Sequence, residues 1–198
     1  MKSLIAALSL AIVPAVASAD GYFGVEGGLG FADIGAKETA QQIANLAGST
    51  VTVTYDRATY AGRLFVGAEV TKAIRIEAGY FSTGNLTAKY VLSGASAKES
   101  YTASGFDIAA IMKPENQPFY FKAGVHSSKV SGNGSITIGG STYSADAKAS
   151  GTGMLLGAGY EETIDATTSW TLGLTYYNRV AGESRSATLA SAGIMKKF

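Results

Sequence analysis

The chain has 198 residues, with 16 basic and 15 acidic side chains, 25 glycines, 11 tyrosines, 3 prolines and no cysteine. Near-neutral charge removes the electrostatic footprint of nucleic-acid binding, so no nucleic-acid partner is expected. The lack of cysteine excludes a small disulfide-stapled scaffold, and glycine and tyrosine in excess over proline suit one all-β domain with strongly curved strands.

At the amino terminus, Lys2, an apolar run over residues 4–13 and the small residues Ala17, Ser18 and Ala19 have the form of a secretory signal cleaved before Asp20. The run is about ten residues, half of the roughly 20 that a membrane-spanning helix needs. Residues 1–19 are therefore excluded from the fold, and residues 20–198 are expected to form one domain. Without Lys2 the remaining chain carries 15 basic and 15 acidic residues.

Eight segments alternate with period two, the mark of strands with unlike faces. In the first, residues 22–31, Phe23, Val25, Leu29 and Phe31 oppose Gly24, Glu26, Gly28 and Gly30. In the second, residues 60–70, Tyr60, Leu64, Val66, Ala68 and Val70 oppose Arg63, Phe65, Gly67 and Glu69. The third, residues 74–81, sets Ile74, Ile76, Ala78 and Tyr80 against Arg75, Glu77, Gly79 and Phe81. The fourth, residues 105–112, sets Phe106, Ile108, Ala110 and Met112 against Gly105, Asp107, Ala109 and Ile111. The fifth, residues 119–126, sets Phe119, Phe121, Ala123 and Val125 against Tyr120, Lys122, Gly124 and His126. In the sixth, residues 154–160, Met154, Leu156, Ala158 and Tyr160 oppose Leu155, Gly157 and Gly159. In the seventh, residues 170–177, Trp170, Leu172, Leu174 and Tyr176 oppose Thr171, Gly173, Thr175 and Tyr177. The eighth ends the chain with Ala190, Ala192, Ile194 and Phe198 on one face. Phe65, Phe81, Ile111 and Leu155 are apolar on the charged parity, and Lys196 is charged on the apolar parity.

Connections alternate in length. Residues 71–73, 113–118 and 161–167 are short; residues 32–59, 82–104, 127–153 and 178–188 are longer and polar. Short turns at one end and long loops at the other are the habit of outer-membrane barrels. Pro114 and Pro118 both fall in one short turn, where no ladder loses a donor. If the chain starts at the periplasm, Phe23, Phe119, Tyr160, Trp170 and Phe198 mark the lower ends of the apolar parity, and Phe31, Tyr60, Tyr80 and Tyr176 the upper ends. Two such belts are expected at the two interfaces of a bilayer, and a soluble barrel has no reason to sort aromatics this way. The predicted fold is an eight-stranded antiparallel up-and-down transmembrane β-barrel with short periplasmic turns and four longer extracellular loops.

The apolar parity then faces lipid, and Glu26, Arg63, Glu69, Arg75, Glu77, Asp107, Lys122 and His126 face a lumen just wide enough to be filled by side chains. Buried charges must be paired, and adjacent strands suggest Arg63 with Glu77, Glu69 with Arg75, and Asp107 with Lys122. In the first loop, residues 36–46 suit a short helix with Ile43 and Leu46 on one side. In the third, residues 131–150 suit a hairpin about Gly139-Gly140 that prolongs strands five and six above the membrane.

The leader, eight strands, four long loops and terminal Phe198 resemble the small outer-membrane barrels of the OmpA-like transmembrane domain, OmpX and opacity-protein-like porin group. The resemblance spans residues 21–198. It implies an integral outer-membrane location, contact with outer-membrane lipid and lipopolysaccharide, and Phe198 as the assembly signal read by the barrel-assembly machinery through the last strand. Lys196 departs from the pattern but can snorkel its ammonium to water. His126 and Ser128 form a His-x-Ser pair resembling that of the barrel-shaped lipid A deacylases; His126, however, is on the inward parity, residues 129–131 differ from that signature, and no third group orients a base.

No catalytic residue, metal or cofactor is assigned. The expected role is non-enzymatic: envelope integrity or surface interaction, such as adhesion or host contact with an extracellular ligand, through the loops. The alternatives are a small pore through the charged interior and, more remotely, a lipid A-modifying barrel enzyme.

Overall fold

Eight chain segments close on themselves with no free edge inside the barrel wall. The computed structural model describes residues 20–32, 34–182 and 185–198; the expected leader, residues 1–19, lies outside them. The strands are β1 (Gly21–Ala32), β2 (Thr52–Tyr55), β3 (Ala58–Glu69), β4 (Ile74–Thr83), β5 (Leu86–Leu92), β6 (Ala95–Met112), β7 (Phe119–Ile138), β8 (Ser141–Thr163), β9 (Thr168–Tyr177) and β10 (Ala187–Lys197), with one helix, α1 (Ala36–Ala47). The wall runs β6, β4, β3, β1, β10, β9, β8, β7, and β7 pairs back onto β6, all antiparallel. Closure is what permits strands to cross a bilayer, because every backbone polar group in the wall finds a partner within it.

Side chains sort by face as the alternation requires. Phe23, Leu29, Tyr60, Leu64, Val66, Phe106, Ile108, Phe121, Leu156, Leu172, Leu174 and Ile194 are exposed on the outside, whereas Arg63, Glu77, Asp107 and Lys122 are buried within. An apolar outer band around a closed barrel, with Lys196 as a charged exception near its lower end, fits a lipid surround, and the chain is built as a membrane-spanning barrel. The lower belt is continuous in places: Phe23 stacks on Phe198, and Tyr160 lies between Phe119 and Trp170 with ring centroids 5.7 and 5.4 Å away. At the upper end Tyr80 meets Phe106 at 5.0 Å.

Three wall strands are longer than the alternating segments in the sequence. β6, β7 and β8 rise past the upper belt as one sheet, with β7 and β8 joined through Gly139 (φ 57°) and Gly140 (φ 86°). Positive φ at both central residues is the two-residue hairpin geometry whose twist matches the flanking strands. Residues 82–104, read from sequence as a polar connector, instead fold as strand β5 and the upper half of β6, and β2 from the first loop adds to β5. The sheet therefore has ten strands, eight in the wall and two outside it.

Helix α1 lies over this outer sheet. Gly35 and Gly48, at φ 67° and 60°, form its ends, and Glu38 sits in its first turn where the helix dipole favours an acid. Ala36, Ala40 and Ile43 recur at helical spacing and pack with Ile34, Leu86, Ala88 and Tyr90. Leu46 does not share that face; it is 90% exposed. Leu46 is rotated about 60° from Ile43 on the side away from Ala40, and it stands one residue before the helix ends at Ala47.

Candidate functional site in the lumen and at its outer mouth

Two linked ionic clusters fill the lumen. In the upper one, Arg63 of β3 is 2% exposed and reaches three carboxylates. Its Nη2 donates to Asp107 Oδ1 at 2.7 Å and Nε to Asp107 Oδ2 at 3.0 Å, while Nη1 donates to Glu77 Oε2 at 3.0 Å and to Glu26 Oε1 at 3.5 Å. The planar guanidinium makes this possible, since its donors diverge in one plane and take Asp107 bidentately. Lys122 Nζ adds longer contacts to Glu77 and Glu26 at 3.5 and 3.6 Å. Tyr22 and Tyr177 donate their hydroxyls to Glu77 and Asp107 at 3.2 and 3.4 Å. Gly79 makes room: a Cβ there would lie 2.5 Å from Arg63 Nε.

In the lower cluster Arg75 Nη2 donates to Glu161 Oε2 at 2.6 Å, and Lys113 Nζ to Glu161 Oε1 at 2.8 Å. The Arg75 guanidinium also lies over the Tyr22 ring, so one tyrosine touches both clusters. Glu69 pairs with Lys197 at 2.6 Å nearer the periplasmic rim.

Of the three pairs read from adjacent strands, the structure forms Arg63 with Glu77. Glu69 and Arg75 are opposite in register yet part company, and Asp107 takes Arg63 rather than Lys122. The reason is reach. In a narrow barrel a long side chain crosses the lumen, so Arg75 meets an acid on β8 and Arg63 an acid two strands away, and each base goes where the most acceptor oxygens converge. The spacing of the sequence places Glu161 and Lys113 in turns and gives Lys197 no inward role, yet all three join the network. Glu161 lies one residue beyond the sixth alternating segment and on its inward parity, a signal present in the sequence.

Those three residues also complete the charge balance. The upper cluster holds three acids and two bases, and the lower holds one acid and two bases. With the Glu69–Lys197 pair added, the lumen is neutral overall. Above the clusters Phe81, Tyr177, Leu155 and Leu189 form an apolar layer.

The outer mouth is closed by residues 178–182. Ala181 N–H donates to Ser128 Oγ at 2.8 Å, Met154 N–H to Asn178 Oδ1 at 2.7 Å, and His126 Nε2 bonds Asn178 O at 2.8 Å. A carbonyl oxygen only accepts, so Nε2 carries the proton. Among the described residues His126 Nδ1 has no hydrogen-bond partner, and the ring stands edge-on to Tyr177 and Phe81. Gly182 approaches Gly151 so closely that a Cβ on Gly151 would strike its backbone. His126 and Ser128 thus hold a loop. Both are 2% exposed and face inward, so neither presents a nucleophile or base to lipid.

Outside the membrane, Glu99 accepts from Tyr101 at 2.8 Å and from Tyr90 at 3.1 Å. Burial, reinforced by the neighbouring Glu99 carboxylate, pushes the Tyr90 hydroxyl up to about 12 and raises that of Tyr101 as well.

No protein-family model and no curated protein matches the chain. Solved structures similar to it include neisserial surface protein A, at 17% identity over 90% of this chain and 97% of that one, with a TM-score of 0.45. The attachment invasion locus protein Ail of Yersinia pestis, solved with the heparin analogue sucrose octasulfate, is 9% identical over 90% of this chain and 99% of that one, with a TM-score of 0.49. The outer-membrane protein OprG of Pseudomonas aeruginosa is 10% identical over 91% and 97%, with a TM-score of 0.45. In its own closed eight-stranded wall, apolar outer band and filled lumen, the chain has the architecture of the small outer-membrane β-barrels.

Proposed function

We propose that this barrel is a closed anchor, and that it serves surface contact and envelope integrity through the part that stands above the membrane. The observation carrying this reading is the filled lumen: Arg63 is held by three carboxylates, an apolar layer lies over it, and residues 178–182 seat on that layer. A solute crossing the barrel would have to break ionic bonds in a poorly hydrated space, each costing several kcal/mol. The outer sheet, by contrast, presents a hydroxyl-rich face with Lys89, Lys98, Lys129 and Lys148, suited to adaptable polar contacts with an external surface and with lipopolysaccharide phosphates. Assembly through the last strand, with Phe198 as its signal, belongs to the same reading.

The test is a trimmed chain in which residues 131–150 are replaced by a two-residue turn. It should fold, with heat-modifiable gel mobility, yet cells displaying it should lose adhesion to an epithelial monolayer relative to the full chain. Equal adhesion and equal detergent resistance of the two strains would refute the reading.

A further inference from the structure

Two apolar clusters face each other across the barrel mouth without meeting. The upper end of the luminal cluster presents Ala103, Val130, Val180 and Ala187; the underside of the outer core presents Ile34, Leu86 and Tyr101. Between them lies a cavity of about 270 Å³, walled by these residues and by Ala147, Ala149 and Ala181. Most of its wall is apolar or glycine; Thr59, Thr83, Tyr101, Thr102, Lys148, Arg185 and Ser186 are its polar members, and three of them are engaged elsewhere. Tyr101 donates its hydroxyl to Glu99, Thr102 Oγ1 donates to Ser131 O, and Thr83 Oγ1 is shared between the amide and the carbonyl of Ala103.

A water molecule needs two to four polar partners to be held in a cavity, and the mostly apolar stretch of this wall from Ile34 and Leu86 to Val130 and Val180 favours an apolar occupant over water. An apolar cavity of about 150 Å³ already accommodates benzene, so this one has room for a two-ring aromatic or a comparably short alkyl chain. We propose that the cavity is a binding site for a small, uncharged, apolar molecule taken up from outside the cell, distinct from the surface that makes polar contacts. Closure of the lumen beneath it makes this a terminal site rather than a step on a path through the barrel.

The test uses the chain in lipid nanodiscs, with methyl groups labelled and naphthalene as the probe. Val130, Val180, Ile34 and Leu86 methyls should shift saturably, while the lipid-facing Val66 and Leu172 methyls should show only the linear drift of partitioning. Ala103→Leu and Ala149→Leu each place bulk in the cavity from a different wall and should weaken the saturable phase at least about tenfold. If neither variant gives the heat-modifiable mobility of a folded barrel, the titration of the unaltered chain decides alone. Absence of a saturable shift at the four cavity methyls overturns the proposal. So does a nuclear Overhauser contact from Val130 or Val180 to lipid acyl protons before naphthalene is added, since the occupant is then a membrane chain.

Discussion

The same strands carry opposite chemistry on the two sides of the upper aromatic belt. On β6, inward Asp107 is charged and outward Ile108 apolar within the membrane; higher up, inward Ala97, Tyr101 and Ala103 are apolar or aromatic, around one carboxylate, Glu99, that takes two tyrosine hydroxyls, while outward Lys98 and Ser100 are polar. β7 and β8 invert likewise, from inward Lys122 and outward Val125 to inward Val130 and outward Lys129, and from outward Leu156 to outward Lys148 beside inward Ala147. The continuous register shows that no residue was inserted to swap the faces. What changes is the solvent: lipid selects an apolar exterior and leaves charges to neutralise one another inside, and water selects the reverse.

The comparison breaks most sharply at Arg63. Arg63→Met leaves the three carboxylates of Glu26, Glu77 and Asp107 with Lys122 as the one base of their cluster, and urea unfolding in bilayers should show a loss of about 3–5 kcal/mol. A lysine on the outward face should then report the solvent directly. Leu172→Lys, between Trp170 and Tyr176, is expected to cost about 2–4 kcal/mol, whereas Ser96→Lys, exposed on the outward face above the belt, should stay within about 0.5 kcal/mol. Gly79→Val pushes a side chain into the Arg63 guanidinium and should cost about 1–3 kcal/mol. Ser128→Ala removes the acceptor for Ala181 N–H, with an expected loss of about 1 kcal/mol and faster hydrogen exchange confined to residues 178–182.

The smallest effect is alkaline and belongs to the outer region. Tyr90 has a raised folded-state pKa, so its contribution is intact below the unfolded value near 10 and is lost as pH rises through about 12. Tyrosinate absorbance from Tyr90 should therefore appear late in an alkaline titration, accompanied by loosening of α1 rather than of the wall.

The wall was legible in the sequence because each strand there has one wet and one greasy parity and its ends carry aromatics. The outer sheet was less so. Leu86, Ala88 and Tyr90 alternate with Thr87 and Lys89, but that segment is short and joins a sheet whose apolar side faces a helix rather than lipid, so composition reads as a polar loop. Within the lumen, parity told which charges point inward but not which ones meet. Pairing depends on side-chain reach across a curved wall, and Glu161 and Lys197 enter the network on the inward parity but from strand ends beyond the segments that apolar alternation marks. The contact between residues 178–182 and Ser128 had no sequence signal beyond the His-x-Ser pair, whose neighbours suggested different chemistry.

The most direct measurement is planar-bilayer conductance of the refolded chain. A lumen neutralised by its own side chains and capped by residues 178–182 should give no stable single-channel steps at any voltage that leaves the bilayer intact. Reproducible steps in the unaltered chain, changed in size by Arg63→Met or Lys122→Met, would contradict the closed barrel and return function to the lumen.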